Sequence, residues 1–217
     1  MPATPAPFDL AAALLRAYET NDRINRYLIE HLDDAVWSAE PPDGKGRTIA
    51  AIAAHMHNVR LMWLKAVLDK EERDGRIPEQ LDRHTVTRPQ AMRAFVESHD
   101  ALWEALDRSL RGGGRVKGFK PDVAGFFAYL VAHDAHHRGQ ITMLARQLGQ
   151  PIGQAAMFGM WEWNSRGAAA DADREAAAKA IAARSAPPKA PAVKSPAAKG
   201  VKSAGSAKAK TTKGRGA

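Results

Sequence analysis

The stretch of the chain best suited to chemistry is His133-Asp134-Ala135-His136-His137-Arg138-Gly139-Gln140. It lies inside a helical pattern that starts just after Pro121 and runs to about Leu148. Wound at roughly 100° per residue, the pattern puts Phe126, Leu130, Ile141, Leu144 and Leu148 on one face. His133 and His137 share that stripe one turn apart, while His136 falls about 100° to the side. A buried imidazole needs partners for both ring nitrogens, so aliphatic side chains normally fill such a stripe. Two imidazoles one turn apart can each aim a nitrogen at a single ion. The bland alternative is a pair of core histidines bonded to polar neighbours, a reading that suits one histidine better than two.

A catalytic metal is rarely held by two side chains, so a third ligand is expected from another helix. Ala54-His55-Met56-His57 offers two candidates, each about 100° from the centre of its own apolar stripe and on opposite flanks. Periodicity does not choose between His55 and His57. His31 and His84 are weaker candidates, beside charged residues near predicted helix ends, and His99 shares the apolar side of the third helix. With no cysteine, the chain has no thiolate ligand and no cysteine nucleophile, and a metal must be held by His, Asp or Glu. Three neutral imidazoles leave a divalent ion its full charge and at least one open position. Such an ion acidifies a bound water or holds a thiol as thiolate. Imidazole suits zinc, nickel, copper and iron, and zinc or nickel is the expected choice. Gln140 lies near the histidine stripe, where it could orient a ligand or a water; Arg138 points further round and reads as a surface or dimer residue. His133-Asp134-x-x-His137 approaches the HExxH pattern of zinc proteases, but Asp is one methylene short and no third-ligand motif follows.

Four amphipathic patterns must position these residues. The first runs from Phe8 to about Leu32, with Leu14, Tyr18, Leu28 and Leu32 on a stripe interrupted by Asn21 and Asn25. Those two amides are either tolerated near a helix end or turned towards a polar interior site. Pro41-Pro42-Asp43-Gly44 marks a loop, and Thr48 is the N-cap expected for a second helix reaching about Asp69, with Ile49, Ile52, Met56, Val59 and Trp63 inward. Residues 70–86 read as loop. Thr87-Arg88-Pro89-Gln90 is a capping box for a third helix carrying Phe95, His99, Leu102 and Leu106, which Gly112-Gly113-Gly114 ends. Pro121 is expected to open the fourth. No strand-length alternation occurs, so the fold class is all-α, a four-helix bundle. Residues Gly149 to Trp163 form an apolar capping segment, which could also line a ligand cleft or a homodimer contact. The Ala-rich stretch 166–184 is expected to be a linker or short helix.

The formal charge of +8 is unevenly placed. Ser185 to Ala217 holds eight Lys and Arg residues and no acid, which leaves Met1 to Arg184 with 24 of each sign. That tail is too poor in large apolar residues to fold, so residues 185–217, like 1–7, are expected to be disordered. Its Lys-Ser-Pro-Ala-Ala-Lys and Ala-Lys-Ala-Lys-Thr-Thr-Lys segments suit weak, non-specific nucleic-acid binding through phosphate neutralisation. No run of apolar residues is long enough for a membrane span and Met1-Pro-Ala-Thr-Pro-Ala-Pro7 lacks signal-peptide features, so the expectation is a cytoplasmic protein with no membrane partner.

Several of these segments carry a resemblance: Asn21-Asp22-Arg23-Ile24, then Thr48-Ile49-Ala50-Ala51-Ile52-Ala53-Ala54-His55 with Trp63 eight residues on, His133-x-x-x-His137-Arg138-Gly139-Gln140, and Trp161-Glu162-Trp163. Together they resemble the DinB-like superfamily of metal-binding four-helix bundles, related to bacillithiol- and mycothiol-dependent transferases and maleylpyruvate isomerases. The resemblance covers roughly residues 8–165. It implies that the second-helix ligand is the histidine after the small apolar run, which makes the triad His55, His133 and His137. It further implies a metal-dependent transferase or hydrolase acting on a small-molecule substrate, with a low-molecular-weight thiol as a fitting co-substrate. The competing reading is a metal-binding stress-response or DNA-associated protein without turnover, tethered by its basic tail.

Overall fold

Each of the four long helices begins where the sequence supplies a side-chain acceptor for its unpaired first N–H groups. Asp9 accepts from the Ala12 N–H at 3.0 Å ahead of α1 (Leu10–Glu30), and Thr48 accepts from Ala51 at 3.1 Å ahead of α2 (Ile49–Val67). Thr87 and Gln90 form the reciprocal capping box that opens α3 (Arg88–Arg111). Asp122 accepts from Gly125 at 2.7 Å as the cap of α4 (Val123–Gln147), which starts just after Pro121. A short α5 (Gln154–Gly159) and a long α6 (Trp163–Ser185) follow. The structure is a computed structural model and describes residues 7–185; the expectations for residues 1–6 and 186–217 lie outside it. Among the described residues there is no strand, only an isolated bridge between Val116 and Phe119.

α1 and α2 each pack against both α3 and α4, which makes the helical bundle, and α6 lies along α1. The stretch 166–184 is therefore neither linker nor short helix but most of a 23-residue helix. Alanine has the highest helix propensity, and ion pairs from Asp171, Asp173 and Arg174 to Arg16, Arg26 and Glu19 hold the helix to α1. In the segment before it, Ile152 and Met160 pack on the core, whereas Phe158 and Trp161 are exposed, as is Trp163 at the start of the helix.

The apolar interior is divided in two. One cluster holds Leu28, Ile29, Ile49, Ile52, Met56, Phe95 and Ile141; the other holds Leu15, Leu61, Leu64, Leu102, Leu106, Phe126 and Leu130. Between them, every helix of the bundle contributes polar residues: Asn21, Asp22 and Asn25 from α1, His57 and Arg60 from α2, Ser98 and His99 from α3, and Asp134 and His137 from α4. All of them are buried. Arg60 is the centre of this layer, donating to Asp22 Oδ1 at 2.7 Å, to Asp134 Oδ2 at 3.0 Å and to the Phe95 carbonyl. Asn21 and Asn25 each donate to Asp134 Oδ2 at 2.8 Å, and Arg138 donates to both amide oxygens. The two asparagines thus face a polar interior, and Arg138 turns inward to α1 rather than standing as a free surface side chain.

Burial alone would push the Asp134 and Asp22 carboxyls up, but the Arg60 guanidinium holds both below the ordinary carboxylate range. A depressed folded pKa stabilises the fold above the unfolded value, about 3.9, and that stabilisation is lost as pH falls through the folded value. Arg60→Met should destabilise the protein by about 3–5 kcal/mol, because it removes the main counter-charge of two buried carboxylates. The deficit should depend on pH. Below about pH 6.5 the depressed His55 and His137 imidazoles cost parent and variant stability alike, since the unfolded chain takes up protons first. In urea titrations the gap between the two proteins should therefore be widest near pH 7 and narrow towards pH 5, as the carboxyls deprived of Arg60 take up protons in the variant alone.

Candidate metal centre

The polar layer opens towards solvent on the α2–α4 side, and there three histidines converge. His55 and His133 are half-buried and His137 is buried. Ring centroids stand 4.8 Å apart for His55 and His137, 4.5 Å for His133 and His137, and 5.5 Å for His55 and His133. One nitrogen from each ring lies within 4.8 Å of the other two. His133 Nε2 and His137 Nε2 are 3.1 Å apart, close to the roughly 3.3 Å between two imidazole nitrogens on a tetrahedral ion with bonds of about 2.0–2.1 Å.

The surroundings prepare these nitrogens as donors to an ion. His137 Nδ1 donates to Gln140 Oε1 at 2.7 Å, so in the neutral ring the lone pair sits on Nε2, facing His133. Gln140 Nε2 in turn donates to His136 Nε2 at 3.1 Å, and His136 itself is exposed. His133 Nδ1 lies 4.0 Å from Asp134 Oδ1, beyond hydrogen-bond reach but close enough to feel the carboxylate charge. Burial, followed by the Arg47 charge and the two other rings, pushes the His55 imidazole down to about 4. Burial also pushes His137 down, against the opposing effect of the Gln140 hydrogen bond. Neutral imidazole is the form that binds metal. The donor set, its tautomers and its spacing fit a divalent ion.

The remaining histidines are engaged elsewhere. His57 is fully buried with Nδ1 at 2.9 Å from the Ala94 carbonyl and Nε2 at 2.9 Å from the Glu79 carbonyl, so neither nitrogen is available to the cluster. His99 stacks on Tyr18 and contacts Asp100, His31 contacts the Tyr27 carbonyl, and His84 accepts from Arg83. Of the two flanking histidines that periodicity leaves open, His55 lies beside His133 and His137, and His57 does not. Asp134, the residue in the place of a protease general base, is bound by Arg60 and two asparagine amides and is not free to activate water.

Two participants escape sequence reasoning. Arg60 looks like an ordinary helix-surface arginine until α1 and α4 bring carboxylates to it. Asp22 carries no sign of burial, only its place in the Asn21-Asp22-Arg23-Ile24 segment. Gln140, read as able to orient a ligand or a water, accepts from His137 Nδ1. Among the described residues no helix is long and apolar enough to cross a membrane.

Comparison with known proteins agrees with the helical bundle. Neither curated proteins nor solved structures gave a match to the chain. A family model described as the DinB family matches residues 8–168, a span that begins just before α1 and ends within α6. The chain belongs to the DinB family.

Proposed function

We propose that this protein binds one divalent ion, zinc or nickel, through His55, His133 and His137 and uses it in a transfer or hydrolysis reaction on a small molecule, with a low-molecular-weight thiol as co-substrate. The observation that carries the reading is the convergence of three imidazole nitrogens, one of them set in its tautomer by Gln140. When bound, the ion supplies a positive charge that acidifies a water or thiol and polarises an acceptor atom. The protein's own residues do the rest. Three neutral ligands leave that charge uncompensated, and Gln140 holds the His137 ring in place. Arg60 and the two asparagines tie up the Asp134 carboxylate, so it stays out of coordination. The absence of cysteine from the chain suits an external thiol.

His55→Ala, His133→Ala and His137→Ala should each lose stoichiometric metal in elemental analysis, while His57→Ala should keep it. Metal retained by all three of the first set removes the site; metal lost from His57→Ala and kept by His55→Ala reassigns the third ligand.

The basic tail carries a separate proposal, weak binding of polyanions through residues 185–217. Full-length protein should bind two unrelated DNA duplexes equally, with a logarithmic salt slope of about 0.9 per neutralised phosphate, and protein truncated after Arg184 should bind neither. Retained affinity in the truncated form would place recognition in the bundle.

A further inference from the structure

Beside the histidines a cleft of about 730 Å³ runs between α4 and the loop that joins α1 to α2. Gln140 forms part of one wall and accepts a hydrogen bond from His137, so the cleft is one side chain removed from the candidate ligands. The loop is not slack. A turn closes it from the Gly44 N–H to the Pro41 carbonyl at 2.8 Å, Pro41 is buried, and Gly44 and Gly46 take left-handed φ angles of 66° and 103°. It delivers Lys45 and Arg47 to the cleft, and among the described residues neither is in an ion pair. Asp43 also lines the cleft, and its carboxylate accepts from the Lys45 backbone N–H at 3.1 Å. The fixed charges on these three side chains leave the cleft with one net positive charge.

The floor adds an independent observation. Gly139 sits in the middle of α4, where glycine is the worst helix former after proline. A Cβ built there would meet nothing within 4 Å, so no packing contact demands the glycine. What its missing side chain leaves clear is the cleft itself.

We propose that this cleft is an anion subsite in which Arg47 and Lys45 hold a substrate carboxylate over Gly139 while the substrate's reacting group faces the histidine cluster. The single net charge matches a carboxylate better than a doubly charged phosphate, and a guanidinium pairs with a carboxylate through two parallel hydrogen bonds. The proposal rests on the metal reading above and gives it a substrate class, small carboxylic acids.

The test titrates zinc-loaded full-length protein calorimetrically with mercaptoacetate and with 2-mercaptoethanol, which share a thiol and differ in the carboxylate, with bound metal measured on every sample. Mercaptoacetate should bind at least tenfold more tightly. The Lys45→Gln/Arg47→Gln double variant should weaken mercaptoacetate far more than 2-mercaptoethanol, bringing the two affinities together while the metal stays bound in full. Gly139→Leu should raise the melting temperature, since leucine is the better helix former, and still weaken mercaptoacetate at least tenfold. Metal-loaded protein that does not distinguish the two thiols overturns the anion subsite alone, as does a preference that survives the double variant. So does a Gly139→Leu protein with unchanged mercaptoacetate affinity. Protein that takes up no metal at the histidines overturns the underlying reading and this proposal together.

Discussion

A guanidinium at the centre of a helical bundle has to be compensated on all sides, and the arrangement of this protein follows from how Arg60 meets that demand. Its charge would be prohibitive among leucines, so the two carboxylates of Asp22 and Asp134 are drawn in from different helices. Those carboxylates have lone pairs of their own to satisfy. Asn21 and Asn25 occupy Asp134, Arg26 occupies Asp22, and Arg138 closes the ring over the asparagine oxygens. Each partner in turn excludes apolar packing from its neighbourhood, which is why the core falls into two clusters with a polar layer between them.

The histidine cluster stands at the open end of that layer. Asp134 belongs to the network and is adjacent in sequence to His133, so the geometry of the ligands and that of the ion-pair network are set by the same turn of α4. With its lone pairs taken by Arg60 and two amides, that carboxylate remains an electrostatic neighbour of the site. A divalent ion held by imidazoles alone would keep its full charge for whatever else it binds.

Much of this was legible in one sequence because it is local. Caps at Thr48 and Thr87, the glycines after α3 and the one-turn spacing of His133 and His137 depend on residues close together in the chain, where periodicity is informative. What was not legible is non-local. His55 and His57 are symmetric about their stripe, and they are distinguished by the carbonyls of Glu79 and Ala94, which fold back on His57 from 22 and 37 residues away. Arg138 reads as solvent-facing because an arginine on a helix usually is, and nothing local marks Arg60 as buried; only partners on other helices draw the two inward. α6 ran longer than its composition suggested because ion pairs to α1 add to the propensity of alanine. The match to the DinB family spans the bundle and the start of that helix.

The division of the core has a further consequence for how the helices are indexed against one another. A helix with an unbroken leucine stripe can slide along its partners by one turn, about 5.4 Å, and still bury apolar surface against apolar surface. Here such a slip would carry Arg60 off its carboxylates and into the layer of Leu102 or Ile141, and would leave Asp22 and Asp134 facing aliphatic side chains. The polar layer therefore works as a detent that admits a single axial setting of four helices. That setting is also the one in which a histidine from α2 stands level with two from α4.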